Sequence, residues 1–421
     1  MTKRYGHFYW PLALSGIALL LEHQFQNGIL ARYPNADVEL ATFALAASSF
    51  QLVNALLAFI PQMVVVLARS PADRARCRRF ANGAGLLLSL PLLAMGFTTP
   101  GARLLATGMN IPPDLLPAVV RYLQWLAPLV WVNAIRHYCT GILVLSERTR
   151  CVTILNGVHL VSLVGILLFG RQAGWGALPT LALATVFSNL LHFALGLFLI
   201  RTGDIPARHA RDASPVSFAD IFRFFWPLAT TSMFFAMSRP VLYAYVNLTA
   251  DAVMTIAALR VGFDFCLLVQ NPLNQFRHVY ATYGEADPKG VTRFMVKVTA
   301  LFMVAMATVV FSPLSRVFFS RFMGLDGELL ARALQCVRIF MFVPAIIMVR
   351  NLYHGKMMVR RTTAAMATAA LLRVVAIALT AKALAATGGL THVAAAWVAV
   401  IGFGVEAFVV RCSVRRRPRA R

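Results

Sequence analysis

Acidic residues are scarce in this chain: 16 Asp and Glu stand against 40 Lys and Arg, and charged residues of both signs make up 13% of its 421 positions. So little charge excludes an ordinary soluble domain, in which roughly 25% of residues are charged. Cysteine is rarer still. The six (Cys77, Cys139, Cys151, Cys266, Cys336 and Cys412) are scattered without a CxxC pair, so neither a disulfide framework nor a metal site is indicated. The GxxxxGK[ST] phosphate loop, the HExxH pair and the nucleophile elbow are also missing. The chain therefore reads as a non-enzyme with no catalytic residues, no cofactor and no nucleotide-hydrolysing motor of its own.

What is present is apolar. Hydrophobic residues make up 59% of the chain, mean hydropathy is +0.69, and apolar runs of about 20 residues recur from end to end, as bilayer-spanning helices require. The expected fold is an all-α polytopic membrane protein of about twelve helices. The expected spans are 8–31, 42–68, 80–97, 115–145, 151–170, 177–200, 218–248, 252–282, 292–319, 329–359, 362–386 and 390–412. With both termini in the cytoplasm, 22 Lys and Arg lie on the cytoplasmic side, 7 on the other and 11 within spans. That asymmetry is the positive-inside pattern. It assigns most of the net charge of +24 to topology and lipid headgroups, and no nucleic-acid partner is expected. The first apolar run carries Glu22, His23 and Gln24 and lacks a small-residue cleavage site, unlike a cleaved signal peptide.

The polar stretch 201–217 divides the chain into a first six-helix bundle, 1–200, and a second, 218–412, followed by a basic tail, 413–421. An internal repeat supports the division. Phe8-Tyr9-Trp10-Pro11-Leu12-Ala13 is echoed by Phe224-Phe225-Trp226-Pro227-Leu228-Ala229, and Arg136…Gly141 is echoed by Arg350…Gly355 at nearly the same offset. Each match falls in the corresponding span of its half, which points to duplication. An even number of helices per half makes these parallel repeats.

The candidate functional groups are basic residues in the wrong solvent. Arg136, Arg239, Arg260, Arg338, Arg350 and Arg373 all lie inside apolar stretches, where an ionised side chain costs at least ~2.5–3.5 kcal/mol. An internal aqueous path for an anion would account for them, and they are the expected substrate-binding residues. Arg136 and Arg350 occupy equivalent positions, although snorkelling to the headgroups also fits their depth. Pro240 breaks the backbone ladder beside Arg239. Arg260 and Asp264, four apart, either neutralise each other or leave Asp264 to titrate. Glu22, Asp264 and Glu406 are the intramembrane carboxylates and the expected ion-coupling groups. Arg277, His278 and Pro240 are expected to gate. His159 and His192 sit singly on apolar faces and read as core histidines. Pro61, Pro91, Pro128, Pro227, Pro240, Pro272 and Pro344 suggest helices that bend.

Several of these segments together resemble the progressive ankylosis protein family, within the MATE-like superfamily of multidrug, lipid-oligosaccharide and polysaccharide exporters (MOP). The resemblance is carried by Phe225-Trp226-Pro227-Leu228-Ala229, Ser238-Arg239-Pro240, Arg277-His278-Val279-Tyr280, Arg338-Ile339-Phe340, Val349-Arg350, Gly355 and Leu372-Arg373-Val374. In the first half Trp10-Pro11-Leu12, Glu22, Gly28-Ile29 and Gly141-Ile142-Leu143 fit as well. It implies a V-shaped, twelve-helix transporter with a central cavity open alternately to each side. The family is associated with export of pyrophosphate, nucleotide phosphates or citrate. The acidic tail of animal members is absent, and the Arg260/Asp264 pair lies outside the pattern. A bacterial-type member in the inner membrane is the expectation.

The leading functional expectation is thus a secondary exporter of small multivalent anions, acting as a monomer among membrane lipids, with H+ or Na+ as coupling ion. The arginine fork suits phosphate and carboxylate groups. The alternatives are a flippase for lipid-linked phosphate oligosaccharides and a MATE-type multidrug antiporter. The latter chemistry wants carboxylates, and 3 intramembrane carboxylates against 11 basic groups argue against it. A structural membrane protein explains neither the duplication nor the arginines.

Overall fold

The computed structural model describes residues 2–68, 70–146, 148–203, 216–359 and 364–416. Most of the 201–217 linker and the last residues of the 413–421 tail fall outside them, as do the side chains of Pro11 and Pro227. Among the described residues all regular structure is helical: α1 (Thr2–Leu30), α2 (Ala36–Asn54), α3 (Ile60–Leu67), α4 (Pro71–Phe97), α5 (Thr99–Met109), α6 (Leu116–Leu145), α7 (Thr149–Gln172), α8 (Ala177–Thr202), α9 (Phe218–Ala236), α10 (Ser238–Val246), α11 (Ala252–Asn274), α12 (Phe276–Tyr283), α13 (Pro288–Phe311), α14 (Leu314–Arg316), α15 (Gly327–Phe340), α16 (Val343–Val359), α17 (Ala364–Ala386) and α18 (His392–Arg416). A backbone that must satisfy every N–H and C=O without water leaves helix as the available solution.

Ten segments among the described residues are long and apolar enough to cross a bilayer. Three of them join consecutive helices: Ala36–Leu67 (α2 and α3), Ala252–Tyr280 (α11 and α12) and Gly327–Val359 (α15 and α16). Together with α1 and the pair α9–α10 they make up the twelve expected segments. The expected second span, 42–68, begins earlier, at Ala36.

Proline sets most of the breaks. The α9–α10 break falls at Met237, because the Pro240 ring clashes with the carbonyl four residues back and offers no N–H to it. Pro61 and Pro344 stand in the first turns of α3 and α16, where a missing N–H costs nothing. Pro272 lies in the last turn of α11, ahead of the break at Gln275. Pro91 and Pro128 are carried inside the continuous helices α4 and α6. The helix starts are set locally too. Ser70 and Asp73 form a capping box at α4, as do Ser217 and Asp220 at α9.

The chain packs as two compact units, one of Met1–Ala44 with Val241–Arg421, the other of Leu45–Pro240. This packing cuts across the sequence halves 1–200 and 218–412. In the first unit α1 packs on α11, α12 and α13, and in the second α9 packs on α3 and α4. Equivalent aromatic contacts hold both. Tyr9 of α1 meets Phe294 of α13 at 5.6 Å, and Phe225 of α9 meets Phe80 of α4 at 5.2 Å, both edge-on. Tyr9 precedes Phe225 by nearly the same length of chain as Phe80 precedes Phe294, so one contact is the repeat of the other.

The repeat also fixes the helix crossings beneath the arginines. A Cβ on Gly141 would stand 2.7 Å from the Val64 Cβ, and one on Gly355 would stand 2.5 Å from the Tyr280 Cβ. Glycine lets α6 lie against α3, and α16 against α12, at backbone contact distance.

Candidate functional site

In the unit of residues 45–240, Arg136 projects from α6 toward α8. Its Nη1 donates to Asn133 Oδ1 at 3.0 Å and to Asn189 Oδ1, and its Nη2 reaches His192 Nδ1 at 2.8 Å. Each carboxamide is oriented by a bond of its own. Asn133 Nδ2 donates to Asn54 Oδ1 at 3.0 Å and Asn189 Nδ2 to the Thr185 carbonyl at 2.7 Å, so both oxygens are left facing the guanidinium. Beyond His192 comes His159 of α7, its ring edge-on with centroids 5.9 Å apart. Both imidazoles are buried, whereas Arg136 is half-buried. Its described partners are neutral acceptors that solvate the cation as water would.

In the unit of residues 1–44 and 241–421, Arg350 projects from α16 toward α18. Its Nη2 donates to Asn274 Oδ1 at 2.6 Å, and its Nη1 lies 3.5 Å from Glu406 Oε2. Arg373 of α17 is fully buried and donates from Nη1 to the same Glu406 oxygen at 2.7 Å, with Phe403 beside its guanidinium. Asn351 steadies the far side by donating to the Leu273 carbonyl at 2.9 Å and to Asn274 Oδ1 at 3.3 Å. His354 lies within electrostatic reach of Arg350, Glu406, Arg277 and Arg373. These groups hold two guanidiniums on a single carboxylate, so the triad Arg350–Glu406–Arg373 carries a formal charge of one positive unit.

A third buried group occupies the same unit. Arg260 Nε donates to Asn27 Oδ1 at 2.7 Å, Asn27 Nδ2 donates to Asp264 Oδ2 at 3.0 Å, and Arg260 Nη2 lies 3.8 Å from that oxygen. Gln24 donates to the Asp264 carbonyl at 2.8 Å, and Phe43 covers the guanidinium at 4.4 Å. The i, i+4 pair read from the sequence is therefore bridged by an asparagine of α1.

The remaining candidates are placed apart from these groups. Arg338 is exposed on α15, with its guanidinium 5.9 Å from the Phe311 ring, and does not join the Arg350 cluster. Arg239 and Pro240 begin α10, just past the break at Met237, with Arg239 half-buried. Arg277 and His278 form the first turn of α12, after the break at Gln275, and both are half-buried. Glu22 is half-buried on α1 and accepts from Gln26 Nε2 at 3.1 Å.

Reading along single helices missed the two histidines. His159 and His192 are buried, as core histidines are, but they are not solitary: His192 bonds to Arg136 and His159 packs on His192. The signal was present as a spacing. The same length of chain separates Arg136 from Arg350, His159 from Arg373, and His192 from Glu406. Each half places three polar side chains on its fourth, fifth and sixth spans at the same register, with different chemistry.

No family model matches the chain. Among solved structures it is similar to an inward-facing multidrug resistance MATE family transporter of the MOP superfamily, at 16% identity and a TM-score of 0.74, over 96% of this chain and 97% of that one. It is also similar to the lipid II flippase MurJ in an inward closed conformation, at 14% identity and a TM-score of 0.69, over 96% and 88%. A MOP superfamily transporter from Pyrococcus furiosus, described as having a binding pocket of reverse polarity that suggests a different function, matches at 14% identity and a TM-score of 0.61, over 96% and 94%. At these identities the likeness is one of fold: the chain has the fold of MOP superfamily transporters.

Proposed function

We propose that this protein is a MOP-type secondary transporter, of the progressive ankylosis kind, that moves small multivalent anions such as pyrophosphate, nucleotide phosphates or citrate by alternating access. The observation that carries this reading is the buried basic chemistry at one register of both repeats. Arg136 lies among oriented amide oxygens and an imidazole, and Arg350 and Arg373 share one carboxylate. Burying cations is costly unless they are solvated by the protein or used by a ligand. A guanidinium already held in position binds a carboxylate or phosphate through two parallel bonds. Arg136 is the better placed of the three to meet a ligand, since it is half-buried while Arg350 and Arg373 are buried. By the positive-inside pattern both termini face the cytoplasm, and a bacterial-type member would sit in the inner membrane and work as a monomer.

The test is efflux of labelled citrate, pyrophosphate and ATP from proteoliposomes. Wild-type protein should release at least one of them. Arg136→Ala should slow release about thirtyfold or more, matching the loss of about 2 kcal/mol or more that follows truncation of a buried charged contact. Arg338→Ala should leave release near wild type, because that side chain lies away from the buried clusters. Equal release by wild type and Arg136→Ala rejects the reading. The fold shared with a lipid II flippase supports a second one, in which the same arginines receive the diphosphate of a lipid carrier. Translocation of a labelled lipid diphosphate, without efflux of the free anions, would select it.

A further inference from the structure

The two repeats answer the same structural position with opposite kinds of chemistry. Where the second carries an ion pair, Arg373 with Glu406, the first carries two imidazoles, His159 and His192. We infer that His192 is the proton-coupling site of the anion transport proposed above, taking up one proton as Arg136 leaves it for the anion; the inference rests on that reading.

The geometry fixes the starting state. A guanidinium is a donor with no acceptor. In the 2.8 Å contact between Arg136 Nη2 and His192 Nδ1, the imidazole nitrogen therefore accepts with its lone pair and carries no proton. His192 is neutral in that arrangement, with its hydrogen on Nε2. An anion engaging the fork of Arg136 competes for the same N–H groups. When Arg136 turns to the anion, its hydrogen bond to Nδ1 breaks. A proton from water forms an Nδ1–H bond in its place, and His192 becomes an imidazolium. The positive charge gained on the ring offsets one negative charge of the anion. The order also runs in reverse: a proton placed first on Nδ1 expels Arg136 and leaves its fork open. Anion and proton thus raise each other's affinity by the same factor, as reciprocal coupling requires.

Among the described groups, Arg136 and His137 of α6 and His159 of α7 face His192. Cys139 of α6 lies one helical turn further along, against Gly196 of α8. None of these named groups is a carboxylate. The second repeat holds its acceptor differently: Glu406 Oε2 accepts from Arg373 at 2.7 Å and lies 3.5 Å from Arg350, so one anionic group is shared by two guanidiniums.

Citrate binding to the purified full-length protein tests this by calorimetry in two buffers of different ionisation heat, from about pH 6 to about pH 8 around the ordinary imidazole range, with the protons that citrate itself exchanges subtracted. The expected result is uptake of about one proton per citrate bound, with affinity rising about tenfold per unit of acidification. His192→Gln keeps an acceptor for Arg136 but cannot titrate, and should bind citrate with about no proton uptake and a flat pH profile. Wild-type binding without proton uptake overturns the inference and leaves the anion reading standing, even if the variant fails to fold. Unchanged proton uptake in His192→Gln also overturns it. Failure of wild type to bind citrate, pyrophosphate or ATP removes the anion reading and this inference together.

Discussion

The cluster around Arg136 and the one around Arg350 hang from equivalent helices, cross their neighbours at equivalent glycines, and differ in almost every side chain that matters. Around Arg350 an amide, Asn274, is joined by an ionised partner: Glu406 takes bonds from two arginines, and all three charged groups are buried. Around Arg136 the described partners are amides and an imidazole, and the arginine is half-buried. A duplicated scaffold has thus kept its register while dividing its chemistry. Fixed opposite charges hold one another in low dielectric and resist rearrangement. Neutral acceptors solvate a cation more loosely and let it go at lower cost. The Arg350 cluster ties helices α16, α17 and α18 together, and under the function proposed above the Arg136 cluster is the one that exchanges a ligand.

The largest difference should appear when the acceptor at the shared position is altered. Glu406→Gln leaves two buried guanidiniums without the carboxylate they share and should cost ~3–5 kcal/mol of stability. His192→Gln exchanges one neutral acceptor for another and should cost ~1 kcal/mol or less. Thermal unfolding of both variants in the same detergent measures the gap. Similar losses would break the distinction between a structural and an exchanging cluster.

The glycine crossings test the opposite point, that the scaffold beneath the clusters is the same. A methyl group on Gly141 meets the Val64 Cβ and one on Gly355 meets the Tyr280 Cβ, both well inside van der Waals contact. Gly141→Ala and Gly355→Ala should each cost ~1–3 kcal/mol through overpacking, with similar losses in the two repeats. A marked loss in one and none in the other would show that the crossings are not equivalent.

Much of this was legible in the sequence, and what escaped did so for physical reasons. Apolar run length marked the spans, and Pro240 and Pro272 marked helices that would break or bend, because both are local properties; that the breaks fall at Met237 and Gln275 came from the structure. The matches at Trp10-Pro11 and Trp226-Pro227, and at Arg136 and Arg350, revealed the repeat. The partnership of α1 with α11 to α13, and of α9 with α3 and α4, was not legible. Hydrophobic periodicity marks which face of a helix is buried but not against what, and Tyr9 and Phe294 are far apart in the chain. The i, i+4 spacing of Arg260 and Asp264 showed their proximity, but the bridging Asn27 comes from α1. His159 and His192 were hidden by substitution: an imidazole opposite an arginine, or opposite a glutamate, does not look like a repeat until register is compared instead of residue type. Exposure was the last gap, since Arg338 and Arg373 look alike in sequence while one lies on the surface and the other is fully buried.

The smallest expected effect concerns the ends of the exchanged helices, where the two units again make the same contact by different means. Asp73 Oδ1 accepts from the Val216 N–H at 2.9 Å, just before α9, and Asp287 Oδ2 accepts from the Tyr5 hydroxyl at 2.8 Å, on α1. The two aspartates stand at the same offset as Arg136 and Arg350. Asp287 lies outside the spans, at the head of α13, and its carboxyl is held below the usual carboxylate range by the Gly290 N–H and then by the Tyr5 hydroxyl. A depressed folded-state pKa contributes stability above the unfolded-state value, and that contribution is lost as pH falls through the folded-state value. Asp287→Asn should therefore melt slightly below wild type at neutral pH, and the two curves should converge in acid. Tyr5→Phe should reproduce part of the neutral-pH difference, since it removes the contact to α1 but spares the Gly290 bond. A Tyr5→Phe effect equal to that of Asp287→Asn would assign the whole contribution to the tie between helices. No effect from Tyr5→Phe would assign it to the helix cap alone and remove the parallel with Asp73.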